Sequence, residues 1–435
     1  MSKKTRGLRI GRYRITPLGL VTLAVIFLII ALVVVMVVFN PFGGEDSPFA
    51  PKPTPTPTID PATITPTPSP SPTPSPTPEP EPKSARIRAL GEIAMQDNLL
   101  KAATTDGTSF DFSGMFSYIS DIMGDADYTI ADVEGVMGGT AKISGSGESI
   151  ITPPALIANL KDCGVDMLTL ANDHALDGGF DELKAEIQNC VSAEMDYVGA
   201  AASSEEKKQP VIKDINGIKV AFLAYTDSLT VKERKVEKDA LKYGINLVTK
   251  SNAPNDVKAA RQAGADIVVC FMSWGKMLKR DVTDDQKTIA NVLVKSGVDV
   301  IIGYGPHTVQ PAMWLEAEPD ADGKVHRTLV MCATGNFLSD QRDQYFDSGA
   351  IFEFTIQETG SATGEYAITN PIYIPTYVWR APGETDNYVY HTMAVGQWLE
   401  NQPEGMAYTD VTRMREVWAE VQSAVGTEAA TVAAQ

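Results

Sequence analysis

Residues 301–311 read IIGYGPHTVQP. The run is apolar and strand-like until glycine, tyrosine, glycine and proline stop it, and it then presents His307, one of only four histidines in 435 residues. The same form recurs along the chain. Short apolar runs at 86–93, 128–133, 167–171, 218–225, 267–272, 298–302 and 329–333 read as strands, with later ones at 350–356 and 366–377 that look antiparallel. Between them, 154–163, 180–193, 256–264 and 285–296 carry helical spacing, several ending near glycine. A repeated βα pattern of this kind predicts an α/β domain with a mixed or layered sheet.

Composition bounds the rest. With 43% hydrophobic and 8% aromatic residues the chain can bury a sizeable core. Residues 18–39 are 22 consecutive uncharged, mostly apolar positions, about 33 Å as a helix, enough to cross a bilayer. Lys3, Lys4, Arg6, Arg9, Arg12 and Arg14 precede it without an acid, so the expected orientation keeps 1–17 in the cytoplasm and everything after 18–39 outside, on an uncleaved anchor. Without those six, 31 basic face 55 acidic side chains, a formal −24 against −18 for the whole chain. Nucleic acid is excluded as a partner by that balance.

Residues 51–82 contain 14 prolines in 32 positions, so 40–83 is expected to be a disordered Pro/Thr/Ser-rich linker, a stalk reaching roughly 100 Å in polyproline II form. A stalk of that reach suits a thick, Gram-positive type of wall. The working domain is expected over 84–395, followed by a C-terminal helix and tail over 396–435, where Met414, Val417, Val421 and Val425 recur at helical intervals. Cys163, Cys190, Cys270 and Cys332 lack metal-like spacing and read as core residues rather than a disulfide framework.

In open α/β sheets ligands gather beyond the carboxyl ends of strands. Those ends are polar here: Gly91-Glu92, Asp132-Val133-Glu134-Gly135, Asn172-Asp173-His174 with Asp177, Thr226-Asp227, Ser273-Trp274-Gly275, Gly305-Pro306-His307 and Gly335-Asn336. Carboxylates, amides and imidazoles supplied by several loops are what a hard or borderline divalent cation needs. Trp274, beside Lys276, Lys279 and Arg280, offers a stacking face with local positive charge.

The ordered pieces GE, DVEG, ANDHALDGG, SWG, GYGPHTVQP and GNFLSDQ, with Gln286 in a helix before the GYGPH loop, span about 87–341. In this order they resemble the poly-γ-glutamate capsule-synthesis (CapA) family, whose domain is similar to the calcineurin-like metallophosphoesterases. The resemblance implies a metallophosphoesterase-like layered α/β sandwich. It implies metal ligands at Glu92, Glu134, Asp173 and His307, and an acid or charge-stabilising role for His174. Asn172, Asp177, Ser273, Trp274, Asn336 and Asp340 would contact substrate or support those groups. Four positions depart from the family pattern: Glu92 stands for Asp, Ser273 and Gly305 for His, and Met277 for Glu. Losing two imidazoles leaves one divalent site (Mn, Zn or Ca) at most, or none. The function implied is an anchored extracytoplasmic factor for synthesis, export or anchoring of poly-γ-glutamate or a related envelope polymer, partnered by that polymer or by membrane proteins that make it. Two other readings stay open: a metal-dependent hydrolase of a phosphoester or amide, and a non-catalytic scaffold binding polymer or partner protein.

Overall fold

The computed structural model describes residues 9–10, 13–14, 82–104, 106–232, 235–319, 321–359, 364–383 and 387–433. The expected anchor at 18–39 and nearly all of the expected stalk lie outside the described residues; among those described, no helix is long and apolar enough to cross a membrane. The chain divides into two units, Met1–Pro78 and Glu79–Gln435. Of the first, Arg9–Ile10 pairs antiparallel with Tyr13–Arg14.

The second unit carries β1 (Ser84–Ala94), β2 (Tyr128–Glu134), β3 (Met167–Thr169), β4 (Asp196–Val198), β5 (Val211–Ile215), β6 (Ile218–Thr226), β7 (Ile267–Ser273) and β8 (Val300–Tyr304). There follow β9 (Ala312–Glu316), β10 (Arg327–Met331), β11 (Asn336–Leu338), β12 (Ser348–Glu358), β13 (Tyr366–Pro382), β14 (Tyr388–Ala394) and β15 (Thr431–Val432). One sheet of nine strands runs β14-β13-β12-β1-β2-β3-β4, with β11 on β1 and β15 on β13; the other, of six, runs β9-β10-β8-β7-β6-β5. β1 to β4 are mutually parallel, as are β6, β7, β8 and β10. β12, β13 and β14 join antiparallel.

Alternation sorts each strand's side chains into two layers. Ile87 and Ala89 meet Val220, Phe222, Val269 and Phe271 between the sheets, where Tyr128, Phe222, Phe271 and Tyr304 stack in series with centroids 5.3, 6.4 and 6.2 Å apart. The opposite faces are covered by helices. α1 (Ala155–Asp162) and α2 (Phe180–Ser192) cover the larger sheet through Leu156, Leu160, Ile187 and Cys190. α3 (Asn252–Gln262) and α4 (Asp284–Lys295) cover the smaller one through Val257, Ala260, Leu293 and Val294. A mixed α/β fold of layered sheets is therefore what the sequence pattern produces. All three core clusters draw on residues from Ala85 onward, so Glu79–Gln435 holds its own core and folds on its own.

The tail is part of this unit. α5 (Tyr408–Val425) buries Met414, Val417, Val421 and Val425 in the inter-sheet cluster, and β15 extends the larger sheet alongside β13. The four cysteines are unpaired; Cys163 is half-buried and the other three are buried.

Candidate functional site

The parallel strands of both sheets end at one edge. Register sets the first contacts: on adjacent strands Glu92 lies opposite Asp132 and Ala94 opposite Glu134, while Asn336 lies opposite Glu92 on its other side. An irregularity between Ala89 and Glu92 shifts the end of β1, and the Glu92 N–H bonds Gly335 O at 2.8 Å. Gly91 is required there, because a Cβ would meet Gly335 O at 2.7 Å.

His307 stands at φ +58°, a left-handed position uncommon for a side-chain-bearing residue. Its Nδ1 abuts Glu92 Oε1 and lies 3.2 Å from Asn336 Oδ1. The Asn336 amide nitrogen donates to Gln341 Oε1 (2.8 Å) and Phe346 O (2.9 Å), so its oxygen faces His307 and Nδ1 carries the proton. That leaves Nε2 directed at Glu134 Oε1, 3.6 Å away. From the other side His174 Nε2 lies 3.8 Å from the same oxygen, while its Nδ1 bonds Asp177 Oδ2 at 2.6 Å. Asp177 is itself fixed by the Ile150 N–H (2.8 Å) and the Thr230 hydroxyl (2.9 Å).

Two groups of three offer ligand atoms within 4.8 Å of one another: Glu92, Glu134 and His307, and Glu134, Asp173 and His174. Glu134 belongs to both. All but the half-buried Asp173 are buried, and Asp132 lies buried beside them, hydrogen-bonded by the Thr169 hydroxyl. Burial pushes the Asp132 carboxyl well above the usual range, with Glu92 adding to it, and raises Asp173 likewise. Burial lifts Glu134 to about 8, which the nearby imidazoles only partly offset. Burial also opposes ionisation of Glu92, but His307 and the Gly305 N–H outweigh it and hold that carboxyl below its ordinary value. The imidazoles are buried too, yet the facing carboxylates lift His174 to about 9 and His307 to about 10. Five carboxyl groups (Glu92, Asp132, Glu134, Asp173, Asp177) thus face two imidazoles, and the cluster limits its charge by holding protons. Glu92 Oε1 touches His307 Nδ1 yet accepts no well-aligned hydrogen bond. That surplus of buried acceptors, five carboxyls to two imidazoles, fits a divalent cation.

The residues expected to matter divide into two sets. Glu92, Glu134, Asp173, His174 and His307 come together, with Asp177 and Asn336 aligning the two imidazoles. Asn172 is a clamp, accepting from the Gly135 and His174 N–H groups and donating to Val133 O and Gly135 O. Ser273 is buried at the end of β7, where its carbonyl receives the Asp227 N–H at 2.9 Å. Two expectations are corrected. Trp274 offers no stacking face: it is 2% exposed, packed in the outer layer with its indole N–H on Cys332 O at 2.9 Å. Asp340 turns away to accept from Tyr390 (2.6 Å) and Asn98 (2.5 Å), stapling a loop.

Gly305 explains the missing histidine. It sits at φ +104°, a Cβ would meet Trp274 O at 2.7 Å, and its N–H donates to Glu92 Oε2 at 2.7 Å. The longer Glu at 92 and the bare glycine at 305 therefore complement each other. Gln286 closes the Thr283 capping box and donates to Gln310, whose amide holds the carbonyls of Lys279 and Asp281, so it shapes the loop rather than the site. Asp132, named among the polar strand ends but given no role, and the unpartnered, fully buried Tyr304 hydroxyl beneath the cluster were not among the expected site residues. The i, i+2 relation of Asp132 to Glu134 was the available signal for the first.

The fold and site define a class: a layered α/β protein whose strand-end loops build a buried carboxylate–imidazole site. Residues 86–341, well over half of the chain, match the family described as bacterial capsule synthesis protein PGA_cap, and the chain belongs to that family. It is 26% identical over 203 residues to the capsule biosynthesis protein CapA of Bacillus anthracis, 47% of each chain. It is 25% identical over 293 residues to the PGA biosynthesis protein CapA of Bacillus subtilis (strain 168), 64% of this chain and 69% of that one. The match thus takes in about half the length of the first relative. Among solved structures, the calcineurin-like phosphoesterase YfkN from Bacillus subtilis superposes with a TM-score of 0.43 at 14% identity, over 68% of this chain and 90% of that one.

Proposed function

We propose that the chain serves capsule-type polymer synthesis outside the cell, and that its strand-end cluster binds one divalent cation to act on a bond of an envelope polymer. The capsule role is supported by membership of the family and by the names of the two relatives, both capsule or PGA biosynthesis proteins. The extracytoplasmic placement is supported by the basic, apolar and proline-rich succession of residues 1–82. The observation that carries the site reading is Glu134, buried between two imidazoles and shared by both ligand groups.

Glu92, Glu134 and the Nε2 of His307 would hold the ion. Its chemistry is Lewis acidity toward a carbonyl or phosphoryl oxygen. Asp177 fixes the Nδ1 proton of His174, so His174 presents Nε2 on the inner side, where a proton can pass to a leaving nitrogen or oxygen. Asn336 does for His307 what Asp177 does for His174, acting through orientation.

The test is metal content and melting of Glu79–Gln435 in Mn²⁺, Zn²⁺, Ca²⁺ and chelator. About one equivalent of tightly held ion is expected, lost in Glu134→Gln and His307→Ala. No ion and no shift with any of the three would refute the metal reading and leave a polymer-binding or partner-binding surface.

A further inference from the structure

We propose that the turn at 275–281 docks this unit onto an anionic lipid surface. The turn reads GKMLKRD and follows β7 at the edge of the site. Met277 and Leu278 are 54% and 56% exposed, adjacent in sequence and at the tip of the turn. Among the described residues, the other adjacent pair of exposed large apolar side chains, Tyr388 and Val389, is less exposed at 47% and 38%. Lys276 and Lys279 are exposed on either side and Arg280 is half-exposed; among the described residues none of the three makes an ion pair. Three cations thus frame two aliphatic side chains in a chain of net charge −18.

The turn is held, not loose. Leu278 adopts φ +66°, where a bulky side chain is disfavoured and glycine would be at ease. Its N–H bonds Pro306 O at 3.1 Å, beside His307. Thr308 Oγ1 and Gln310 Nε2 both donate to Lys279 O, at 3.1 and 3.0 Å, and the Arg280 guanidinium lies 4.0 Å from the centre of the Tyr345 ring. A leucine kept at a glycine-like position, rigidly presented to solvent, marks a side chain wanted for contact.

The chemistry favours lipid over a soluble polyanion. Cations alone suffice to hold a hydrated polycarboxylate, and exposed aliphatic tips add nothing to that contact. A bilayer rewards both: Met277 and Leu278 enter the acyl boundary while Lys276, Lys279 and Arg280 meet the headgroups. Acids do follow in Asp281, Asp284 and Asp285, with Asp284 drawn off by Lys287 at 3.1 Å. The acidic body repels a like-charged surface, which is screened beyond about 10 Å at ordinary salt, so apolar insertion has to hold the contact. Docked this way, the His307 loop behind the turn faces the membrane side.

The test is cosedimentation of Glu79–Gln435 with vesicles of phosphatidylcholine containing about one third phosphatidylglycerol, against phosphatidylcholine alone. Binding to the anionic vesicles only is expected. Met277→Ser/Leu278→Ser and Lys276→Glu/Lys279→Glu should each weaken partition by on the order of tenfold, with melting temperature and metal content unchanged. Equal binding to both vesicle types, or no effect of either double variant, overturns the proposal. So does loop-dependent binding to soluble polyglutamate with none to vesicles, which would make the turn a polymer grip. Metal content is read separately, so failure of the metal reading leaves this result standing.

Discussion

Glu134 Oε1 sits 3.6 Å from one imidazole nitrogen and 3.8 Å from another, and the surrounding residues are arranged to keep those nitrogens turned toward it. Gly305 is part of that arrangement, because its N–H is what holds Glu92 in place. Restoring the histidine that the family pattern carries at this position would force a side chain into φ +104° and against the Trp274 backbone. Gly305→His is expected to cost about 2 kcal/mol or more by urea melts, with no gain in bound metal; a stable variant with a second ion would sink this account of the substitution. A second prediction concerns Glu186, away from the site. Its Oε1 accepts from the Met137 N–H at 3.1 Å while its buried Oε2 has no partner, and burial, with Glu182 adding to it, raises its pKa from 4.5 to about 8. The folded state therefore holds a proton that the unfolded chain releases near 4.5, so this stabilising difference is present below that pH and is lost as pH rises toward 8. Glu186→Gln keeps the acceptor without a charge to bury. It should be more stable than the parent at pH 8 by a few kcal/mol (~2–4) and differ little near pH 4. The same gain at both pH values would show that the carboxyl is not the cause.

Whole strands were legible where both faces are buried. β1, β2, β6 and β7 fall within a few residues of their expected ranges; β6 and β7 are near-continuous apolar runs, while β1 and β2 mix apolar residues with Arg88, Glu92, Asp132 and Glu134, which are buried like their neighbours. β5 was not, since VIKDI is half-exposed at the sheet's edge and its lysine and aspartate dilute the pattern, even though Asn216-Gly217 marks the hairpin to β6. β11 is three residues long and was read only as part of a loop. The strand-end location of the site was legible for the same reason the strands were: apolar runs stop where polar groups begin. What a lone sequence could not give is which way each polar end turns. Trp274 folds inward to bond Cys332 O, and Asp340 turns out to Tyr390, because their partners lie 58 and 50 positions along the chain. The helical periodicity of the tail, by contrast, reports a real burial. Met414 is fully buried in α5, and Arg413 pins the same helix to Asp347, donating from Nε and Nη2 to its two carboxylate oxygens at 2.9 Å each. Met414→Ala is expected to lose about 2–4 kcal/mol in denaturant melts while leaving metal content unchanged. A loss under ~0.5 kcal/mol would mean the helix is peripheral to the fold's stability.

At the scale of the molecule, the larger sheet gathers the carboxyl groups at the ends of β1, β2 and β3, the smaller sheet adds His307 and the Gly305 N–H from beyond β8, and the buried cluster limits its charge by keeping protons. Glu134 at about 8 and His307 at about 10 are both protonated at neutral pH, and Asp132 and Asp173 are displaced in the same direction. A divalent ion needs Glu134 ionised and His307 Nε2 bare, so binding must expel protons. Calorimetric titration of Glu79–Gln435 at pH 7 in two buffers of different ionisation enthalpy should therefore report at least about one proton released per ion. Apparent affinity should climb with pH through about 8, as Glu134 gives up its proton, and on toward 10 with His307. At a hundred times the dissociation constant the ion adds about 2.7 kcal/mol to stability, so melting temperature follows the same pH course. Glu134→Gln removes the shared ligand and should abolish both the proton release and the thermal shift. Tight binding without proton release would mean that the carboxyls are ionised in the empty site, and the burial that raises them would then be open to water.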